Sequence, residues 1–311
     1  MKHTSKRTIK LIGSALTILS IAIIAVNFIK MDVNLSFIEN WYRALIVLLF
    51  GIILMFATIL IGILAWKKNL EYFSERTIDY KNSAVIYTKA NIGKYLPGNV
   101  MHYVERNIFA AEQGISQIDV TTSTILEIVG QVFTSFLITI PFLFNEIKSI
   151  MSLHIERDMT KIFLLIFMIA LILMFVISRK NEKVNQIFKK ITQKKFAMMF
   201  AGNICLYGMC YLIYGLLLNV ILYHINPNVM NLHDALLMIS ANTIAWLIGF
   251  IIPGVPGGIG VRELTLTTIA SGTAFEQTIL IAAVFQRIIS IFGDLTSYLW
   301  GLYLSKKISF R

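Results

Sequence analysis

Long runs of apolar residues dominate this chain and limit what it can fold into. A helix needs about 20 such residues to cross roughly 30 Å of hydrocarbon, and Ala44–Trp66 supplies 23 residues without a charge. Because 57% of the residues are apolar and only 14% are charged, the chain lacks the polar side chains needed to cover a water-soluble globule. The sequence predicts an all-α, polytopic membrane bundle.

Six clear spans and one shorter span are predicted within a single membrane domain over residues 1–311. They cover Leu11–Ile29, Ala44–Trp66, Ile118–Phe144, Ile162–Ser178 (the shorter one), Phe196–Ile225, Asp234–Ile252 and Thr278–Leu304. No small-residue cleavage site follows the first span, so we expect it to be retained as an anchor. The longest polar segment, Lys67–Ser116, has a mildly apolar middle that we expect to dip into the membrane.

The lysines and arginines are distributed unevenly between the two predicted sides. Of 28 in total, twenty-one fall on one side and five on the other, while Arg262 and Arg287 remain in the membrane region. Since basic loops stay cytoplasmic, we expect a plasma-membrane protein with both termini inside. An even number of crossings is then needed among about seven to eight transmembrane helices. Leu264–Gln277 either recrosses as a half-helix or forms a re-entrant hairpin with the preceding loop.

Two Pro- and Gly-rich motifs interrupt the apolar pattern, GKYLPG at residues 93–98 and PGVPGGIGVRE at residues 253–263. Proline and glycine unwind helices, and unwound backbone at membrane depth survives only against protein or a wet cavity. Arg106 follows Pro97 by nine residues, as Arg262 follows Pro253. Corresponding broken segments indicate a substrate site in transporter folds, so we predict two re-entrant segments around an interior cavity.

The candidate substrate-binding residues lie in or beside these motifs. Amide groups at a helix start, with an arginine beside them, bind phosphate oxygens, so the expected ligand is an anionic lipid headgroup. The candidates are Lys94, Pro97, Gly98, Arg106, Pro256, Gly257, Gly258, Gly260, Arg262 and Glu263. The alternative is that both motifs are tight connections and that the two arginines are ordinary cytoplasmic anchors.

Charged residues also occur deep inside the predicted spans. Glu127, Arg287 and Asp294 each lie roughly 13–15 Å from the end of a span, where a central charge costs about 2.5–3.5 kcal/mol. We expect Glu127 to pair with Arg287, with Gln131 one turn further on, so that these residues and Asp294 form an intramembrane polar track. The alternative is a buried structural pair that never contacts substrate.

The remaining chemistry-bearing residues give no signal for a metal, a cofactor or nucleic acid. No histidine has metal-ligand spacing, and no nucleophile elbow, P-loop or dinucleotide fingerprint occurs. His102, one turn before Arg106, either joins that arginine's polar cluster or is an ordinary loop histidine. Cys205, Cys210 and the tyrosines and methionines of Phe196–Ile225 are interpreted as helix packing.

The motif at 93–98 followed by Arg106, together with PGGIGVRE at residues 256–263, resembles the lysylphosphatidylglycerol synthase transmembrane-region family. The resemblance covers nearly the whole chain in motif order and number of spans. It implies a flippase-like membrane protein, similar to the membrane half of the multiple peptide resistance factor, which is associated with moving aminoacylated phosphatidylglycerol between leaflets. Stand-alone members are often linked to lipid-carrier, glycan or hopanoid pathways. Because the chain stops at Arg311 without the soluble aminoacyl-transfer domain, we expect no synthase activity.

Three functions are compatible with these features. The first is translocation of an anionic or polyprenyl-phosphate-linked lipid, with Arg106 and Arg262 holding phosphate. The second is a non-catalytic membrane partner of a glycosyltransferase or lipid-modifying enzyme in cell-envelope synthesis, which needs only the spans and the basic face. The third is an enzyme acting on lipid headgroups with Glu127 or Asp294 as general base. The sequence favours the first and leaves the headgroup, direction and oligomeric state open.

Overall fold

The computed structural model describes residues 41–96, 100–151, 182–227, 231–252 and 255–307, without the side chains of 141–151, 182–184 and 256. Within these ranges the chain is helical and contains no β-strand. Several sequence predictions lie outside the described residues, namely the spans Leu11–Ile29 and Ile162–Ser178 and the candidate residues Pro97 and Gly98.

The described residues form nine α-helices and two short 3₁₀ turns. The helices are α1 (Trp41–Ser74), α2 (Tyr80–Asn91), α3 (Met101–Ala111), α4 (Gln117–Met151), α5 (Glu182–Ile191), α6 (Lys194–Ile225), α7 (Leu232–Ile251), α8 (Val261–Ala270) and α9 (Ile279–Lys307). Turn 1 (Ile92–Tyr95) follows α2, and turn 2 (Pro256–Gly258) precedes α8. We call α2, turn 1 and α3 the first hairpin, and α7, turn 2 and α8 the second hairpin.

Five of these helices are long and apolar enough to cross a membrane: α1, α4 as far as Ile140, α6, α7 and α9. Each coincides with a predicted span, so the helical membrane-bundle class is confirmed. The outer face of α1 shows why such a chain needs lipid, because Ile46 and Ile53 are more than half exposed there. A continuous row of exposed apolar side chains of this kind is favoured against hydrocarbon and disfavoured against water.

The two hairpins pack against opposite ends of α9. In the first hairpin, Ala110 of α3 joins an apolar cluster with Ala84 of α2 and with Trp300 and Leu304 near the end of α9. In the second hairpin, a separate cluster joins residues of α7 and α8 to Ile279 at the start of α9. In the first hairpin α3 folds back beside α2, and in the second hairpin α8 folds back beside α7.

The two turns meet between these ends. Turn 1 contacts turn 2, and a Cβ atom added to Gly257 would lie 3.5 Å from the Tyr95 ring. Gly257 and Gly258 have φ angles of +56° and +73°, values that glycine adopts without the steric cost that other residues meet. The sequence motif thus specifies a sharp turn at the point where the hairpins touch.

At the C-terminal end of α1, Lys190 of the short helix α5 makes two contacts. Its ammonium donates to the Phe73 carbonyl at 2.9 Å and lies 2.8 Å from the Glu75 carboxylate. This hydrogen bond and the positive charge of Lys190 lower the pKa of Glu75, which is otherwise open to solvent. The contact fixes the connection between α5 and α6 beside the end of α1.

Candidate functional site

A cavity of about 220 Å³ lies where the two turns meet, and every described element except α5 contributes to its wall. The residues that α1, α4, α6 and α9 contribute lie away from both ends of these helices, whereas α7 contributes Trp246 and Phe250 near its last turn. At about 1.5 Å per residue, Tyr211 lies about 25 Å from the start of α6, and Arg287 lies about 12 Å from the start of α9. The cavity is therefore near the mid-depth of the helix bundle.

Asp294 of α9 is the acceptor that holds turn 1. Its carboxylate accepts a hydrogen bond from the Asn91 amide at 2.8 Å and another from the Tyr95 hydroxyl. The Lys94 ammonium lies 2.8 Å from one oxygen and 2.7 Å from the other. Because the Asp294 side chain is only 3% exposed, these three donors replace the water that a buried carboxylate loses.

Arg106 of α3 and Glu127 of α4 form a buried ion pair, with each side chain only 2% exposed. The Tyr87 hydroxyl donates to the same carboxylate at 2.9 Å, and the Tyr87 ring lies 3.8 Å from the guanidinium carbon. The expected pairing of Glu127 with Arg287 is therefore wrong. That expectation considered only charges inside the predicted spans, whereas the partner comes from the polar segment, which packs α3 against α4.

Arg287 and Arg262 lie against turn 2. Arg287 Nη2 donates to the Gly257 carbonyl at 2.7 Å, and an added Cβ on Gly258 would lie 2.8 Å from Arg262 Nε. The Nε atoms of both arginines are buried without a hydrogen-bond partner. Among the residues that the structure describes, neither guanidinium has a carboxylate within ion-pair distance.

Two amide groups that precede α8 are already used by the protein. The Glu263 carboxylate accepts a hydrogen bond from the Gly260 amide at 2.7 Å, and the Gly258 amide donates to the Val255 carbonyl at 3.2 Å. A carboxylate at this helix start satisfies a donor and adds negative charge, which disfavours an anion there. The arginine side chains, and not these amides, are the groups open to a ligand.

The cavity wall contains part of the predicted residue set. Lys94, Arg106, Gly257 and Arg262 line it, as do all four residues of the predicted polar track, Glu127, Gln131, Arg287 and Asp294. Gly258, Gly260 and Glu263 are not in its lining, because they shape and cap the start of α8. The side chain of Pro256 is outside the description, as are Pro97 and Gly98.

Sequence reasoning missed the aromatic and polar face of α6. Tyr207, Cys210, Tyr211 and Tyr214 line the cavity, although they were interpreted as helix packing. Their spacing of three and four residues places them on one helix face, which was the signal available. His102 is a buried cavity residue on α3 and not a loop histidine.

Comparison with known proteins gives no relative for this chain: no family model, no curated protein and no solved structure matches it. In the described part of the chain, no three side chains of histidine, cysteine, aspartate or glutamate are grouped so that they could hold a metal ion. The geometry of the cavity is therefore the basis for a functional proposal.

Proposed function

We propose that this chain moves an anionic phospholipid or a polyprenyl-phosphate-linked lipid across the cytoplasmic membrane. The observation that carries the proposal is the cavity at mid-depth of an apolar bundle, bounded by two contacting turns and lined by six charged side chains. A charge at this depth costs about 2.5–3.5 kcal/mol on insertion scales, so a group of them in one cavity favours a functional use. The resemblance of the two motifs to a flippase-like family supports the same function.

In this proposal both hairpins are re-entrant and enter from opposite sides of the membrane. Their apolar clusters at opposite ends of α9 support this arrangement. Although α7 is long enough to cross, it then forms the first arm of the second hairpin. The full crossings are α1, α4, α6 and α9 with the predicted spans Leu11–Ile29 and Ile162–Ser178, an even number that places both termini in the cytoplasm. This assignment agrees with the distribution of basic residues and makes turn 1 the tip of the cytoplasmic hairpin.

The two turns would act as barriers on either side of the headgroup. Turn 1 is held to α9 by Asp294, and turn 2 is held to α9 by Arg287. A headgroup can leave toward one side when the turn on that side separates from α9 while the other turn stays in place. The acyl or prenyl chains would remain against the apolar outer faces of the helices, so only the polar part crosses through the cavity.

Reconstitution tests the proposal directly. Purified protein in liposomes should accelerate the transbilayer movement of a fluorescent anionic lipid, measured by quenching with a membrane-impermeant reductant. Arg262→Ala should abolish this movement without affecting membrane insertion, whereas Lys306→Ala, an exposed cation on α9, should behave as the wild type does. If the wild type moves no lipid while an envelope enzyme loses activity without it, the non-catalytic partner role replaces translocation.

A further inference from the structure

Taking the proposed translocation as its premise, we infer that the cavity selects lipids whose headgroup is a single terminal phosphate, held jointly by Arg262 and Arg287. Phosphatidic acid and a polyprenyl monophosphate belong to this chemical class. Phosphodiester lipids such as phosphatidylglycerol, which carry one negative charge on the phosphate, would bind more weakly.

The charges in the cavity wall do not balance. Among the described lining residues the cations are Lys94, Arg106, Arg262 and Arg287, and the anions are Glu127 and Asp294. Two pairs cancel, since Lys94 contacts Asp294 and Arg106 contacts Glu127. The two arginines beside turn 2 therefore have no ion-pair partner among the described wall residues, while the buried carboxylate of Glu263 lies outside the wall and caps the start of α8.

These two guanidinium groups lie beside successive glycines of the same turn. A Cβ atom on Gly257 would lie 2.7 Å from Arg287 Nη2, one on Gly258 would lie 2.8 Å from Arg262 Nε, and both arginines line the cavity. Repulsion between buried cations is relieved most fully by an anion of matching charge placed between them. A phosphate monoester carries about −1.5 to −2 near neutral pH and has three acceptor oxygens, so it can satisfy both arginines, whereas a diester leaves one of them uncompensated.

The donors needed for such a ligand are present on these side chains. The guanidinium groups of Arg262 and Arg287 line the cavity with no carboxylate partner among the described residues, and a guanidinium matches phosphate oxygens with two parallel hydrogen bonds. Turn 2 allows both guanidiniums to approach because its glycines have no side chain: a Cβ on Gly257 would lie 2.7 Å from Arg287 Nη2. Tyr214 and Arg262 both line the cavity.

The size of the cavity is compatible with this ligand. Its volume of about 220 Å³ is enough for a phosphate with several bound water molecules. The charges of the wall, and not its size, distinguish a monoester from a diester.

Binding in detergent tests this selectivity without requiring transport. Calorimetry would measure the affinity of the purified chain for phosphatidate and for phosphatidylglycerol with matched short acyl chains. The measurement is made at about pH 8, where a phosphate monoester is close to dianionic. Phosphatidate should bind at least about tenfold more tightly than phosphatidylglycerol, because its phosphate carries a second negative charge that accepts a hydrogen bond from the second arginine. Equal affinities would overturn the inference.

Variants identify the groups responsible. Arg262→Gln and Arg287→Gln should each reduce phosphatidate affinity to the level of phosphatidylglycerol, while Lys306→Ala should leave both affinities unchanged. Because Arg287 also holds turn 2, Arg262→Lys serves as a second variant; it retains the charge and should retain the preference. Preference that persists in both glutamine variants would place the phosphate elsewhere and contradict the assignment.

Inorganic phosphate distinguishes the source of the ligand. It should compete with phosphatidate only weakly, since it lacks the apolar chains that lie against the helices. Competition as strong as the binding of the lipid itself would identify free phosphate as the ligand and overturn the lipid assignment. Selective binding without transbilayer movement would refute the proposed transport and leave the selectivity standing, whereas movement of both lipids with equal affinity would refute the selectivity alone.

Discussion

Arg287 and Asp294 lie seven residues apart on α9, and each holds a different turn. Arg287 donates to the Gly257 carbonyl of turn 2 at 2.7 Å, and Asp294 accepts hydrogen bonds from Lys94 and Tyr95 of turn 1. Seven residues correspond to about two helical turns, so both side chains occupy one face roughly 10 Å apart. A single helix thereby connects the tips of two hairpins that pack at its opposite ends.

Asp294→Asn should loosen turn 1 without unfolding the bundle. The substitution removes the negative charge that Lys94 contacts but preserves a polar side chain of the same shape. We expect faster amide hydrogen exchange at residues 92–96 and little change in α9. Asp234→Asn, at the start of α7 and away from the cavity, is the matched control. Unchanged exchange at turn 1 would show that Asp294 does not hold it.

Breaking the Arg106–Glu127 pair should be costly because each partner would leave an uncompensated buried charge. Removing one member of a buried pair costs about 3–5 kcal/mol, so Arg106→Gln and Glu127→Gln should each lower the free energy of unfolding by about that amount. The double variant should lose less than the sum of the two single losses. Unfolding in mixed detergent micelles measures all three.

The control for this comparison is an ion pair at the end of α1. Lys67 lies 2.7 Å from Glu71 in a partly exposed pair four residues apart on one helix, and pairs of this kind contribute about 0–1 kcal/mol. Lys67→Ala should therefore change stability little. Similar losses for Lys67→Ala and Arg106→Gln would contradict the buried-pair assignment.

The glycines of turn 2 should be more sensitive than a glycine with the same backbone conformation elsewhere. Gly258 and Gly272 have φ angles of +73° and +75°, but only at Gly258 would a Cβ meet Arg262, while nothing lies within 4 Å of Gly272. Both alanine variants should lose about 1–2 kcal/mol of stability from the backbone. Only Gly258→Ala should also reduce the rate of lipid movement, by at least about tenfold. Equal rates of lipid movement in the two variants would contradict a role for the close contact between Arg262 and Gly258.

Much of the fold could be predicted from the sequence because membrane spans follow from local composition. The apolar runs that predict Ala44–Trp66 and Phe196–Ile225 correspond to α1 and α6. The two Pro- and Gly-rich motifs likewise correspond to breaks, since proline and glycine act on the backbone locally. The short helices α3 and α8 were less predictable, because they are stabilised by packing against other helices and not by their own length.

The site was less predictable because its pairings join distant parts of the chain. The partner of Glu127 depends on how α3 packs against α4, and the residues that hold turn 1 depend on the position of α9. Apolar and aromatic residues of α6 look alike in sequence whether they face lipid, core or cavity, so Tyr207 and Tyr211 could not be assigned from composition. The sequence predicted that Arg106 and Arg262 belong to the site, but only the fold shows that Arg106 is the one paired with a carboxylate, that of Glu127.

Accessibility of the two native cysteines tests the central claim, a hydrated and positively charged cavity at mid-depth, most directly. Cys210 lines the cavity, whereas Cys205 is exposed on the same helix but outside the cavity lining. In proteoliposomes containing Cys205→Ala, a water-soluble anionic thiol reagent should modify Cys210 faster than a cationic reagent does, and added short-chain phosphatidate should slow the reaction. Cys205 should resist both reagents in the Cys210→Ala variant. Because the Cys210 thiol donates a hydrogen bond to the Thr58 carbonyl at 3.5 Å, both reactions should be slow, and the test is the ratio of the two rates. If the cationic reagent reacts faster, or if phosphatidate leaves the rate unchanged, the cavity is not positive or does not hold phosphatidate, and the account is contradicted.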